Sequence, residues 1–198
     1  HIASRTAADI VTDSVTAAYG SGFGDNSIRG ILQTAVTAAN ISVFDRSQRD
    51  PDLRGMGTTI VACIVCDGIA HIVHAGDSRA YHITAEGIEQ MTKDHSVVQL
   101  LVDRGEITQD EARFHPKKHF ITRALGVMSI IDLDYCEFAL DEGEAIIICT
   151  DGLSNYFTSG ELFDMVKAAG YGKCVDKLIN AAKKAGGADN ITVVCISK

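Results

Sequence analysis

Three aspartates stand at the ends of strand-like runs, each near glycine: Asp77 after IVHAG, Asp151 after IIICT, and Asp189 just ahead of ITVVCI. Carboxylates are hard oxygen ligands, and carboxylates gathered in one place repel unless a cation compensates them. The chemistry such a group could support is that of a Mg²⁺ or Mn²⁺ centre. If the runs flanking Asp151 and Asp189 are antiparallel neighbours, the end of one and the start of the other share an edge, and the two carboxylates converge. Glycine beside each aspartate lets backbone approach an ion, but it also makes ordinary turns. Composition alone leaves both readings open.

Other groups are weaker candidates. Cys63 and Cys66 in CIVC, with His71 and His74 nearby, could be drawn as a zinc or redox site. Residues i and i+3 of a strand point to opposite faces, so core packing is the better reading. His95 in DHS could approach a substrate but suits a structural role, and Lys117, Lys118 and His119 read as a solvated basic loop with a minor part in attracting anions.

The elements that must position these residues can be read from periodicity. Residues 3–19 carry Ala7, Ile10, Val11, Val15 and Ala18 at helical spacing, and Gly20, Gly22 and Gly24 interrupt them. Asp25 or Asn26 can cap a second helix that places Ile28, Ile31, Leu32, Ala35, Val36 and Ala39 on one stripe. Thr58–Cys66, the two-residue turn Asp67-Gly68, Ile69–Ala75, Ala80–Thr84 and Ile88–Thr92 predict an antiparallel meander. Residues 93–123 read as a flap carrying two short helices. Strand signals resume at Ile130–Leu140 and Glu144–Cys149. Thr158 and Glu161 form a capping box for a helix ending by Gly170; a helix at Cys174–Ala185 and a strand at Ile191–Ser197 follow.

With 198 residues, 46% hydrophobic and 22% charged, the chain can bury a core, and a single domain over 1–198 is expected. A net charge of −8 with no long Lys/Arg run argues against a nucleic-acid partner. No run approaches the roughly 18–20 apolar residues of a membrane span, so no membrane partner is expected. The six cysteines sit mostly in apolar runs, which predicts reduced core thiols, with Cys149 and Cys195 buried on neighbouring strands, and a cytoplasmic location.

GMGTT (55–59), HAGDSRAY (74–81), KDHSVVQLLVDRGEIT (93–108), ITRALG (121–126), TDGLSN (150–155) and GGADNITVV (186–194) occur in that order. Together they resemble the bacterial PP2C-type (PPM family) metal-dependent protein serine/threonine phosphatases, from the first helix to the last strand. The resemblance implies an α+β fold, an antiparallel β-sandwich flanked by helix pairs. It implies hydrolysis of phosphoserine and phosphothreonine in proteins by a metal-activated water at a binuclear Mn²⁺ or Mg²⁺ centre. Asp151 and Asp189 would ligate the metal pair, and Asp77 would share a third, weaker site with Asp151. His95, Ser96 and Arg123 would border the substrate cleft. Phosphorylated proteins, a Ser/Thr kinase among them, would be the partners. The family's early arginine, which grips phosphate, and its D-G-M-G-G-H segment, whose aspartate bridges both metals, have no counterpart here. The sandwich is therefore expected to be N-terminally incomplete and the 198-residue chain to show little activity alone. The rival expectation is a non-catalytic regulatory or binding module of the same fold.

Overall fold

A computed structural model describes residues 1–20, 22 and 27–198. Two long helices come first, α1 (Ile2–Gly20) and α2 (Ile28–Arg49). Asp25 and Asn26 lie outside the described residues; the cap of α2 is Ser27, whose hydroxyl accepts from the Gly30 N–H at 3.1 Å. The chain then forms β1 (Ile60–Cys66), β2 (Ile69–Ala75), β3 (Arg79–Ile83), β4 (Ile88–Gln90), α3 (Val97–Asp103) and α4 (Gln109–Phe114). It finishes with β5 (Asp134–Ala139), β6 (Ala145–Cys149), α5 (Asp151–Ser154), α6 (Ser159–Ala169), α7 (Tyr171–Lys184) and β7 (Val193–Ser197).

The strands make two antiparallel sheets, ordered β1-β2-β5 and β4-β3-β6-β7. Strand alternation explains the layering. On β2, Val73 and Ala75 meet α1 and α2, while Ala70 on the opposite face joins Ile146 and Leu140 between the sheets. On β6, Ile147 and Cys149 meet α6 and α7 through Leu162, Val166, Cys174 and Leu178. The result is the expected α-β-β-α sandwich, in which each sheet buries one face on a helix pair and the other on its partner sheet.

The meander expected over residues 58–92 is divided. The hairpin β1–β2 turns at Asp67-Gly68 with φ of 50° and 81°, as the two-residue turn predicts. β3 and β4 also pair, but β2 and β3 do not, because the chain changes sheets between Ala75 and Arg79. Gly76 makes this crossing at φ 114°, and a Cβ there would overlap the Thr59 side chain. Periodicity carries no signal for which sheet a strand joins. The strand expected at 130–140 begins only at Asp134, and the last helix starts at Tyr171 rather than Cys174. The Thr158–Glu161 capping box is present, and Thr108–Glu111 forms a second one.

β1 and β7 are edge strands of their sheets. Between them lies an apolar groove of about 580 Å³, lined by Ala7, Val11 and Val15 of α1, Ala62 and Ile64 of β1, and Val194 of β7.

Candidate metal centre

Asp151 and Asp189 are brought to one edge by the β6–β7 pairing, which ends at Cys149 opposite Val193. Thr150 tightens that edge: its hydroxyl donates to the Asn190 carbonyl at 3.1 Å and accepts from the Thr192 N–H at 3.0 Å. Gly152 completes the approach, since a Cβ on it would overlap the Asn190 carbonyl. Asp151 opens α5, where its carboxylate accepts from the Gly152 N–H and from Asn155 Nδ2 at 3.1 Å. Asp189 is exposed and accepts from the Asn190 N–H at 2.7 Å.

Asp77 reaches the same edge from the crossing between the sheets. Burial, then the Asp151 and Asp94 carboxylates, push its pKa up to about 6. Burial and the Asp189 charge likewise raise that of Asp151. Asp151 is thus the shared member: its charge acts on Asp77, and the charge of Asp189 acts on it. The three do not close on one point. Among the described residues, the trio whose ligand atoms lie within 4.8 Å of one another is His74, His95 and Asp134.

The Arg79 charge offsets this repulsion only in part, because its guanidinium is engaged elsewhere. Arg79 of GDSR forms a bidentate pair with Asp94 of KDHS, Nε to Oδ1 at 2.9 Å and Nη2 to Oδ2 at 2.7 Å, and its Nη1 bonds the Tyr81 hydroxyl. Two half-buried carboxylates whose pKa values stay raised despite the Arg79 charge suit a hard divalent ion. A cavity of about 240 Å³ opens here, lined by Asp77, Arg79, Asp94 and Asp151, with Arg113 and Lys118 contributed by the 93–123 segment. His119, next to Lys118, lies near enough to Asp151 to favour its ionised form.

His95, Ser96 and Arg123 are not among the residues lining that cavity. His95 is buried: its ring accepts from the Gly76 N–H at 3.1 Å, and its own N–H donates to the Gly76 carbonyl at 2.9 Å. Ser96 is buried as the cap of α3 and bridges Ile121. Arg123 bonds Asp134 at 2.6 Å. All three fasten the base of the segment: backbone pairing at 95–97 and 120–122 turns His95 and Ser96 inward, and Arg123 follows it to reach Asp134. Residues whose importance single motifs did not reveal are Asp94, the partner of Arg79, and buried Asn40. Asn40 accepts from Gly126 N–H at 2.8 Å and donates to the Met128 carbonyl, anchoring the loop after ITRALG to α2. The Arg79–Asp94 pair was present in the strings GDSR and KDHS; Asn40 had no such signal.

All six cysteines are free. Cys149 is buried, but Cys195 is only half-buried, because β7 is an edge strand. His71 bonds the Tyr135 hydroxyl at 2.8 Å and His74 stacks on His95, so neither joins Cys63 and Cys66.

Residues 1–191 match the family model of protein phosphatase 2C. The serine/threonine phosphatase stp of Listeria monocytogenes is 34% identical over 168 residues, covering 84% of this chain and 67% of that protein. The PPM Ser-Thr phosphatase MsPP of Mycobacterium smegmatis, solved with cacodylate, superposes with a TM-score of 0.87 at 36% identity, covering all of this chain and 82% of that one. The catalytic domain of the phosphatase PstP with two manganese ions gives 0.78 at 31% identity, over 94% and 80% of the two chains. With fold, motif order and relatives in agreement, the chain belongs to the protein phosphatase 2C family.

Proposed function

We propose that this chain is a protein serine/threonine phosphatase domain, acting over residues 1–198 with segment 93–123 as a flap at the cavity. The observation that carries the reading is the set of mutually repelling carboxylates, with Asp77 and Asp151 lining one cavity and Asp189 raising the pKa of Asp151 from the neighbouring loop. Family membership and the relatives named above support it.

In this reading Asp151 and Asp189 hold a pair of divalent cations, Mn²⁺ or Mg²⁺, and Asp77 shares a third with Asp151. Bound cations supply the positive charge that polarises a phosphoryl group and acidifies water. The chain's own residues do the rest. Thr150 and Gly152 fix the spacing of the two loops, and Arg79 holds Asp94 off the centre. Arg113 and Lys118 face the cavity as counter-charges for an anionic substrate. Phosphoserine and phosphothreonine proteins, including a Ser/Thr kinase, are the proposed substrates, and the cytoplasm the proposed location. No helix among the described residues is long and apolar enough to cross a membrane.

The experiment is dephosphorylation of a phosphothreonine peptide by the protein as encoded, with whatever precedes His1 included. Phosphate release should require Mn²⁺ or Mg²⁺, stop with a chelator and return on adding the ion back. Release that persists after thorough chelation would defeat the proposal.

A further inference from the structure

A second cluster of ligand atoms sits close to Gly76. The rings of His74 and His95 lie parallel, with centroids 4.8 Å apart and planes at 11°. Asp134, at the start of β5, completes a trio whose ligand atoms all lie within 4.8 Å of one another. Each ring has one nitrogen engaged. His74 Nε2 lies 3.0 Å from the Lys93 carbonyl, so it carries the proton and donates. Nδ1 is then a lone pair, buried and without a hydrogen-bond partner among the described residues. A buried polar atom left unsatisfied is costly and asks for a ligand. His95 Nδ1 accepts from the Gly76 N–H, which leaves Nε2 facing Asp134 Oδ2 at 3.2 Å and Arg123 Nη1 at 3.1 Å.

Arg123 now balances the charge of Asp134, with Nη1 2.6 Å from Oδ1. Its side chain is 36% exposed, so it can turn out to solvent without unmaking the core. Against His95 it is a poor partner, because both facing groups are donors when the ring is neutral with Nε2 protonated. Burial, assisted by the nearby Arg123 charge and by His74, holds the His95 pKa below its ordinary value and keeps the ring neutral. Two neutral imidazoles and a carboxylate form a donor set for zinc and its neighbours rather than for Mg²⁺.

We propose that His74, His95 and Asp134 form a second metal site, separate from the three aspartates, which takes a borderline transition cation such as Zn²⁺ in exchange for the Arg123 guanidinium. On binding, the ion gains the His74 Nδ1 lone pair, His95 Nε2 and an Asp134 oxygen. The Nε2 proton leaves to solvent, and Arg123 gives up its bond to Asp134. His95 grips both the N–H and the carbonyl of Gly76, so the occupied site would stiffen the peptide that precedes Asp77. The assignment rests on these side chains alone and stands apart from the phosphatase reading.

The test is a Zn²⁺ titration against a chromophoric chelator in excess Mg²⁺, paired with Co²⁺ binding followed by visible absorption. The wild-type protein should bind Zn²⁺ that Mg²⁺ does not displace. Asp134→Asn and His95→Gln should weaken it by about tenfold or more, whereas Arg123→Met, which removes the competing cation, should tighten it by about tenfold. Asp134 is half-buried at a strand start, so its variant keeps the fold available for measurement even if His95→Gln does not. The Co²⁺ spectrum should lack a thiolate charge-transfer band, which separates this site from the cysteines. Unchanged Zn²⁺ affinity in Asp134→Asn, weaker binding in Arg123→Met, or a thiolate band would overturn the proposal.

Discussion

Gly152 and Asn190 touch without room for a side chain between them: a Cβ on Gly152 would overlap the Asn190 carbonyl oxygen. That contact sets how closely the loops bearing Asp151 and Asp189 approach. Gly152→Ala should force the loops apart, costing about 1–3 kcal/mol of stability from overpacking and weakening Mn²⁺ binding as well. Calorimetry on the variant checks both effects. A full-strength Mn²⁺ isotherm would show that loop spacing does not matter.

The Arg79–Asp94 pair is 21% and 10% exposed and bidentate. Arg79→Met would strand the Asp94 carboxylate beside Asp77, so a loss of about 3–5 kcal/mol is expected. Arg79→Lys should recover part of it, because charge is restored but not the fork. Urea denaturation of the two variants measures the difference.

Asp77 makes the centre pH-dependent. Its folded pKa of about 6 lies above the ordinary carboxylate value, so the folded state binds the extra proton. Asp77 therefore contributes stability to the metal-free fold that is fully present below its unfolded pKa of about 4 and is lost as pH rises through 6. A divalent ion relieves the same repulsion, but must compete with the proton. Mn²⁺ should thus raise the melting temperature clearly at pH 7.5 and little at pH 5, by scanning calorimetry. An equal shift at both values would contradict the assignment of Asp77 to the centre.

Thiol titration should find six reactive groups after denaturation without reductant, since all six cysteines are free. In the native protein Cys149 should react slowly, because burial drives its pKa up to about 12. A count below six in the denatured protein would require a disulfide.

The layered fold was legible in the sequence because its signals are local. Helical stripes, the Asp67-Gly68 turn and the Thr158–Glu161 box depend on neighbours a few residues apart. The convergence of Asp151 and Asp189 was legible for a related reason: strands β6 and β7 carry them to a common edge by simple antiparallel pairing. What stayed hidden depends on contacts between distant segments. The sheet change at Gly76 turns on Thr59, the inward turn of His95 and Ser96 on backbone pairing across the segment, and the burial of Asn40 on a loop 86 residues away. Nor could alternation reveal the stacking of His74 on His95, which joins β2 to the chain after β4.

The central claim is that Asp151 is the shared carboxylate of a divalent metal centre, and Asp151→Asn in the protein as encoded tests it most directly. The substitution is nearly isosteric and removes repulsion with Asp77 and Asp189, so the melting temperature without metal should hold or rise. Mn²⁺-dependent release of phosphate from a phosphothreonine peptide should fall to background, with Asp189→Asn behaving alike and Asp77→Asn slowing turnover more than it weakens binding of the metal pair. Wild-type turnover by a folded Asp151→Asn protein at saturating Mn²⁺ would contradict the account.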